Sequence, residues 1–564
     1  MEPGGLTFAR ALERKMRGID MKRVLVLVGA LILVGQSFGE GKPFLDKGYP
    51  FPSVARSPNY WCTWNAQGGT KVENFKSGKI KSPDCAHRDN LNEAIVFGKD
   101  GWATTLFPEY RRDLFFVLDD GWDVACGIDT KKYGQYCYGS CFLDPERFPS
   151  FKGTAGERLR ELTRRLKALG WRGAGLWISP QCTGEIEWQK YPVERVKAYW
   201  RDRMAEIAEG GIGYLKVDWG AHQHDVWFRQ YLTDLKNEMC PDCVIEHAVN
   251  HCSWNGCGEV NADQNRRPTP DCPRFIGNPE YEPVREESIG IMRKCDTFRI
   301  YDLMGYNAST LDRTAFFLDC AERAGFGTVI NVEHFADIGA ALGCALGIMP
   351  APNFSKKADW APTERALKWQ RLAPAFRSSP ENRTVYSEET LSDFIEPGYE
   401  VRGLGRKFRQ DAPAAIARGL PLPAVTADEK GEKPYVIAAR HPNGCISAAA
   451  LARHAPDRGF FTPRCDIVLE VEFGERPLAF FGICRTLTVR CPTAGRRVFA
   501  QDLASDGPAE DVTDACTFAN GRLTLDGRML ARIGYQTFGD VTTPATLVWL
   551  KEGGLPVSPF TTEK

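Results

Sequence analysis

The sequence predicts a (β/α)8 barrel followed by a C-terminal antiparallel β-sandwich. From Trp61 onward, short apolar β-rich runs alternate with helical patterns, as βα units on a parallel sheet require. Eight such runs fit within about 290 residues, the span of a closed eight-stranded barrel. Beyond residue 375 the helical pattern stops, and β-type runs separated by turn residues follow. A chain of 564 residues is too long for one ordinary core, so the barrel is expected over 50–375 and a linker with the sandwich over 376–564.

The first strand is expected over Tyr60–Asn65 and the second over Asp113–Leu118, closing on Asp119-Asp120. A helix follows around Glu157–Leu169, where Leu159, Leu162, Leu166 and Leu169 form one apolar stripe and Gly170 is a stop signal. Gly173–Ile178 reads as the third strand. A helix over Val193–Glu209 leads to the fourth, Gly213–Asp218. The fifth is Val244–Ala248, the sixth Thr297–Tyr301, the seventh Gly327–Asn331 and the eighth Ala345–Met349. A last barrel helix is expected near Thr363–Leu372. Residues 376–432 carry Pro, Gly and charge with little periodicity. The sandwich strands then begin at Tyr435, with turns such as Pro442-Asn443-Gly444 and Asn520-Gly521.

Met21-Lys22-Arg23, the apolar run Val24–Val34 and the small and polar residues to Gly39 have the three regions of a secretory signal. The run is too short to span a bilayer. Residues 1–39 are therefore expected to be a signal peptide with an N-terminal extension, and the mature chain to be secreted or periplasmic, with no membrane partner. The 19 cysteines suit that compartment, and the close pairs Cys137/Cys141, Cys240/Cys243 and Cys252/Cys257 are expected to be loop-bracing disulfides rather than a zinc site. A net charge of +0 offers no basic face for nucleic acid. The sequence sets no oligomeric state.

Barrel chemistry gathers at the C-terminal ends of the strands, so carboxylates there are the first candidates. Asp119 and Asp120 close the second strand, where two adjacent carboxylates suit sugar hydroxyls; the bland alternative is a solvated turn or helix cap. Lys216 and Asp218 share one side of the fourth strand, with Trp219 as a wall beside a sugar; the alternative is a buried structural ion pair. Arg299 and Asp302 close the sixth, the alternative being a rim salt bridge. Hydrolysis with retention needs two carboxyl groups about 5–5.5 Å apart, one ionised to attack the anomeric carbon and one protonated for the leaving oxygen. The assignment is Asp218 as nucleophile and Asp302 as acid/base. No metal or cofactor is required.

The order Trp61-Cys-Thr-Trp-Asn65, Asp119-Asp-Gly-Trp122, Lys216-Val-Asp-Trp219, Arg299-Ile-Tyr-Asp302 resembles clan D glycoside hydrolases, the α-galactosidases of families 27 and 36. The resemblance covers roughly residues 55–350 and the sandwich that follows. It implies that Asp218 is the nucleophile, that Asp119 and Asp120 bind the 4- and 6-hydroxyls of galactose, and that Lys216 is a sugar-binding lysine. It also implies that Arg299 lies near the acid/base, that Trp61 lines the pocket, and that Glu246 on the fifth strand contacts the sugar. The chain departs from family 27 in the spacing of Arg299 and Asp302 and in Trp219, which stands where that family has cysteine. The segment 255–295 has no clear counterpart and is expected to cap the mouth.

The expected activity is thus a retaining exo-glycosidase acting on an oligosaccharide or polysaccharide, releasing terminal α-linked galactose. The alternatives are another clan D specificity (α-N-acetylgalactosaminidase, β-L-arabinopyranosidase or transglycosylase) and a non-catalytic carbohydrate-binding barrel. A lyase using Lys216 as base is disfavoured, because the adjacent Asp218 would keep the amine protonated.

Overall fold

The structure is a computed structural model that describes residues 48–69, 88–128, 134–248, 271–272, 275–300, 306–352, 357–395, 408–492 and 495–551. The expected signal region, the pair Cys252/Cys257 and Asp302 lie outside the described residues.

Eight parallel strands close into a barrel: β1 (Tyr60–Cys62), β2 (Phe115–Leu118), β3 (Gly173–Ile178), β4 (Tyr214–Val217), β5 (Val244–His247), β6 (Thr297–Arg299), β7 (Val329–Glu333) and β8 (Ala345–Ile348). Closure is by Tyr60, which pairs with Phe115 on one side and Gly347 on the other. Side chains of alternate residues fill the lumen. Its lowest layer holds Tyr60, Phe115 and Tyr214. Such bulk fits because its neighbours are glycines. A Cβ on Gly175 would come within 2.7 Å of Val117 Cγ2 and 3.0 Å of Tyr214 Cβ, and one on Gly347 within 2.6 Å of the Tyr60 hydroxyl.

The barrel helices include α1 (Ala155–Ala168), α2 (Val193–Glu209), α3 (Val226–Met239), α4 (Glu282–Met292), α5 (Asn307–Arg323) and α6 (Lys357–Leu372). Helix α1 begins with a capping box, in which the Thr154 hydroxyl accepts from the Glu157 N–H and the Glu157 carboxylate accepts from the Thr154 N–H. Its Leu159, Leu162 and Leu166 are fully buried, each side chain contributing about 1.5–3 kcal/mol.

Several boundaries differ from expectation. Strand β1 stops at Cys62, and Trp64 opens a short helix, Trp64–Gly69. Strand β7 runs two residues further than expected, to Glu333. The segment 255–295 contributes helix α4 to the barrel wall, and Asp271–Cys272 pairs with Arg409–Gln410. The region expected to be irregular contains the strands Thr384–Tyr386, Thr390–Ile395, Phe408–Pro413, Ala415–Arg418 and Ala424–Thr426. All are short, and so leave little periodicity.

The C-terminal region forms an eight-stranded and a five-stranded sheet. Most neighbours are antiparallel, but three pairs run parallel: Ala415–Arg418 with Tyr435–Arg440, Ile446–Leu451 with Leu478–Gly482, and Asp466–Glu472 with Thr486–Arg490. One apolar core joins barrel and sheet, with Trp369 and Leu372 of α6 in the same cluster as Ile437, Phe481 and Trp549. Buried Arg365 donates to the Gly534 carbonyl at 2.6 Å, and Arg418 to the Leu342 carbonyl at 2.6 Å. A hairpin of Arg453–Ala455 and Gly459–Phe461 leans on Tyr306 at the start of α5, whose ring stacks on Phe460 at 5.5 Å and meets His454 edge-on at 5.1 Å.

The expected bridges Cys137–Cys141 and Cys240–Cys243 are not formed. Cys141 turns into the main core, while Cys137 packs beside Val124, Tyr138 and Trp177. Cys240 and Cys243 are free thiols in side-chain contact with each other, with Cys240 Sγ also facing Met204 Sδ at 3.6 Å and Cys243 Sγ the Val244 carbonyl at 3.6 Å.

Candidate active site

The open end of the lumen is polar, and its groups come from seven strands or their exits. Strand parity explains the collection. Tyr214, Lys216 and Asp218 share one side of β4 and its exit, as do Thr297 and Arg299 on β6, and Asn331 and Glu333 on β7. Each is buried, and their polar contacts run to other strands rather than along their own.

Lys216 Nζ donates to Asp119 Oδ2 at 2.8 Å, the Cys62 thiol donates to the same oxygen at 2.7 Å, and Glu333 Oε2 lies 3.9 Å from the amine. Burial opposes a charge on Lys216, but Asp119, with Cys62 and Glu333, carries its pKa well above the ordinary lysine value. Lys216 is thus an ammonium, unsuited to act as a base or to form a Schiff base. Arg299 is a second hub. Its NH1 donates to Glu333 Oε2 at 2.9 Å, NH2 lies 3.2 Å from Asp218 Oδ1, and Nε lies 3.4 Å from Glu246 Oε1.

Asp218 follows β4 directly and is only 5% exposed. Its Oδ2 accepts the Trp177 indole N–H at 3.0 Å, and the buried Arg229 donates to its main-chain carbonyl at 2.6 Å. One carboxylate oxygen is thereby held by an indole, and the Arg299 guanidinium lies 3.2 Å from the other. Trp177, Tyr138 and Trp219 meet edge-to-face, with centroids 5.1–5.7 Å apart, and form a wall beside it; Trp219 is half-buried.

The lumen carboxylates differ in their electrostatics. Burial would raise Glu333, but Lys216, Arg299 and His334 outweigh it and hold the acid at about 2. Burial pushes Glu246 upward against the attraction of Arg299. Glu246 Oε2 accepts from the Tyr214 hydroxyl at 2.7 Å and from Asn331 Nδ2 at 2.5 Å, so it lies lower in the lumen than Asp218. Asp120 points elsewhere: its two oxygens accept from Arg88 Nε at 2.9 Å and NH2 at 2.7 Å. Burial still raises the Asp120 pKa against that guanidinium.

Asp119, Lys216, Asp218, Glu246 and Arg299 are therefore brought together. Trp61 is not with them. It is 0% exposed and lies between barrel and helices, packed on Trp102, Phe116 and Trp171, with its indole N–H donating to the Pro350 carbonyl at 3.0 Å. The cause is parity: Tyr60 and Cys62 face the lumen, so Trp61 must face out. Several participants were not anticipated, among them Trp177, Cys62, Arg229, Glu333 and Arg88. For Glu333 and Arg88 the reasons differ. A polar pair two residues apart, Asn331 and Glu333, within an otherwise apolar run was the available signal for the first. Nothing local marks Arg88, which reaches Asp120 from 32 residues upstream.

No family model matches the sequence, and no curated protein does. Among solved structures, the chain is similar to a family 27 β-L-arabinopyranosidase from Geobacillus stearothermophilus, at 11% identity over 88% of this chain and 98% of that one, with a TM-score of 0.39. A provisionally assigned α-N-acetylgalactosaminidase from Bacillus halodurans shows 12% identity over 91% and 100%, with a TM-score of 0.39. An Anoxybacillus α-amylase shows 10% identity over 88% and 99%, with a TM-score of 0.38. At these identities and scores the likeness assigns neither a substrate nor a residue role to this chain.

Proposed function

We propose that the chain is a glycoside hydrolase of the retaining, exo-acting kind, releasing terminal α-linked galactose from an oligosaccharide or polysaccharide. The observation that carries the proposal is the setting of Asp218, a buried carboxylate at the exit of β4, aimed by Trp177 and Arg299 above a lumen of paired charges. In the first step an Asp218 oxygen bonds to the anomeric carbon while the glycosidic bond breaks and Asp302 gives its proton to the departing oxygen. In the second, Asp302 takes a proton from water, whose oxygen displaces Asp218. Asp119 and Lys216, already paired, offer an acceptor and a donor to sugar hydroxyls. On this reading the chain is exported, with cleavage near Gly39.

A second specificity is favoured by one observation. Asp120, expected to bind a 6-hydroxyl, is already doubly bound by Arg88. A terminal β-L-arabinopyranose lacks the hydroxymethyl group and requires no partner there.

A mechanism-based fluorosugar, followed by peptide mapping, tests both the chemistry and the sugar. Labelling of Asp218 by the fluorinated α-galactoside supports the first choice, and labelling by the arabinopyranoside alone transfers it to the second. A label on another residue, or no turnover across a panel of p-nitrophenyl glycosides, would overturn the mechanism.

A further inference from the structure

We infer that Trp188 is a stacking platform for a second sugar ring, so that the substrate is a chain of at least two pyranoses lying across the rim; this rests on the glycosidase reading. Trp188 is 80% exposed, the most exposed of the large hydrophobic side chains among the described residues. It sits at the tip of a tight turn closed by a bridge between Ile186 and Gln189, in the loop that leaves β3 at the open end of the barrel.

An exposed tryptophan on a floppy loop would mean little, but this turn is anchored. Fully buried Glu185 accepts the N–H groups of Cys182 and Tyr191, both at 2.6 Å, and lies 3.3 Å from His222 Nε2. His222 Nδ1 is 2.6 Å from Asp225, which also accepts from Lys190 at 2.8 Å. His222 belongs to the exit loop of β4, which carries Asp218. The two loops are joined again where the His222 N–H donates to the Pro180 carbonyl at 2.9 Å and the Ser179 hydroxyl to the Trp219 carbonyl at 3.1 Å. The turn that carries the indole is thus anchored to the nucleophile's loop, while the indole itself stands out from it, 80% exposed.

The neighbours of the indole decide its occupant. Its sequence neighbours Glu187, Gln189 and Lys190 are exposed and polar, and the next exposed aliphatic along the chain, Val193, lies beyond them at the start of α2. A protein or membrane partner would call for a contiguous apolar patch. An exposed aromatic face flanked along the chain by hydrogen-bonding side chains matches a neutral pyranose, whose C–H face is apolar and whose edge carries hydroxyls.

The test compares the full-length wild type, Trp188→Ala and Trp188→Phe on a p-nitrophenyl monoglycoside and on an α-galactosyl oligosaccharide series of two to five rings. The alanine variant is expected to lower kcat/KM on the oligosaccharides by roughly three- to tenfold, mainly through KM, with the aryl monoglycoside unchanged and the phenylalanine variant largely restored. Equal effects on both substrates, or none on the oligosaccharides, would overturn the platform while leaving the glycosidase reading intact. Failure of every glycoside to turn over removes that reading instead. In that event, titration of tryptophan emission with the pentasaccharide decides: a Trp188-dependent change sustains the platform, and its absence, or Trp188-dependent binding to neutral phosphatidylcholine vesicles, refutes it.

Discussion

Glu333→Gln removes one of four lumen carboxylates among the described residues and leaves Lys216 and Arg299 short of a counter-charge. The Glu333 carboxyl is held at about 2 in the fold against an ordinary 4.5. That difference corresponds to about 3 kcal/mol of stability at neutral pH. Because the folded pKa is the lower one, this contribution is complete above pH 4.5 and is lost as pH falls through about 2. The gap in unfolding free energy between wild type and variant should therefore be about 3 kcal/mol at pH 7 and about 2 kcal/mol at pH 3.5. Urea unfolding followed by tryptophan emission at both pH values measures it. A gap that is flat with pH, or that widens on acidification, would refute the claim that the two cations stabilise Glu333 as an anion.

Asp218→Asn should lower turnover by roughly 10⁴-fold or more and abolish fluorosugar labelling with the circular dichroism spectrum unchanged; residual turnover within tenfold of wild type would exclude it as nucleophile. Trp61→Ala should cost about 3–5 kcal/mol of stability with KM unaffected at a temperature where the variant is folded, since the ring packs behind the barrel wall; a KM effect without loss of stability would put it in the pocket instead. Arg88→Ala strands buried Asp120 and should destabilise by about 3–5 kcal/mol, seen as a lower urea midpoint. If galactose is the substrate and Arg88 only braces Asp120, its KM should rise in the same variant; a fall in the galactoside KM would mean that the guanidinium had been blocking the sugar.

The barrel was legible because its strands are apolar runs set between amphipathic helices, and period-two alternation carried Lys216 with Asp218 to the right face. At Trp61 the family resemblance pointed into the pocket, and alternation could not correct it, since three aromatic or apolar residues in a row do not reveal which parity faces in. Glu333 was hidden by placing the end of β7 at Asn331; a strand boundary moved by two residues hides one inward side chain. Arg88 belongs to a class that no local pattern exposes, a cation that reaches its carboxylate through tertiary packing. The short strands between Thr384 and Thr426 were missed because runs of three to six residues, some broken by proline, carry too little period to rise above a loop.

The hairpin that rests Phe460 on Tyr306 has a bearing on how this protein can be divided. Phe460 remains 60% exposed even when stacked, yet its partner heads the helix that follows the exit of β6. Excising the barrel near residue 376 would strip that support from the head of α5 and remove His441, which meets Trp369 of α6 edge-on at 5.6 Å, together with the Gly534 carbonyl that Arg365 holds. The two halves are thus obligate companions, and engineering that swaps the sandwich must transplant the barrel's outer wall along with it.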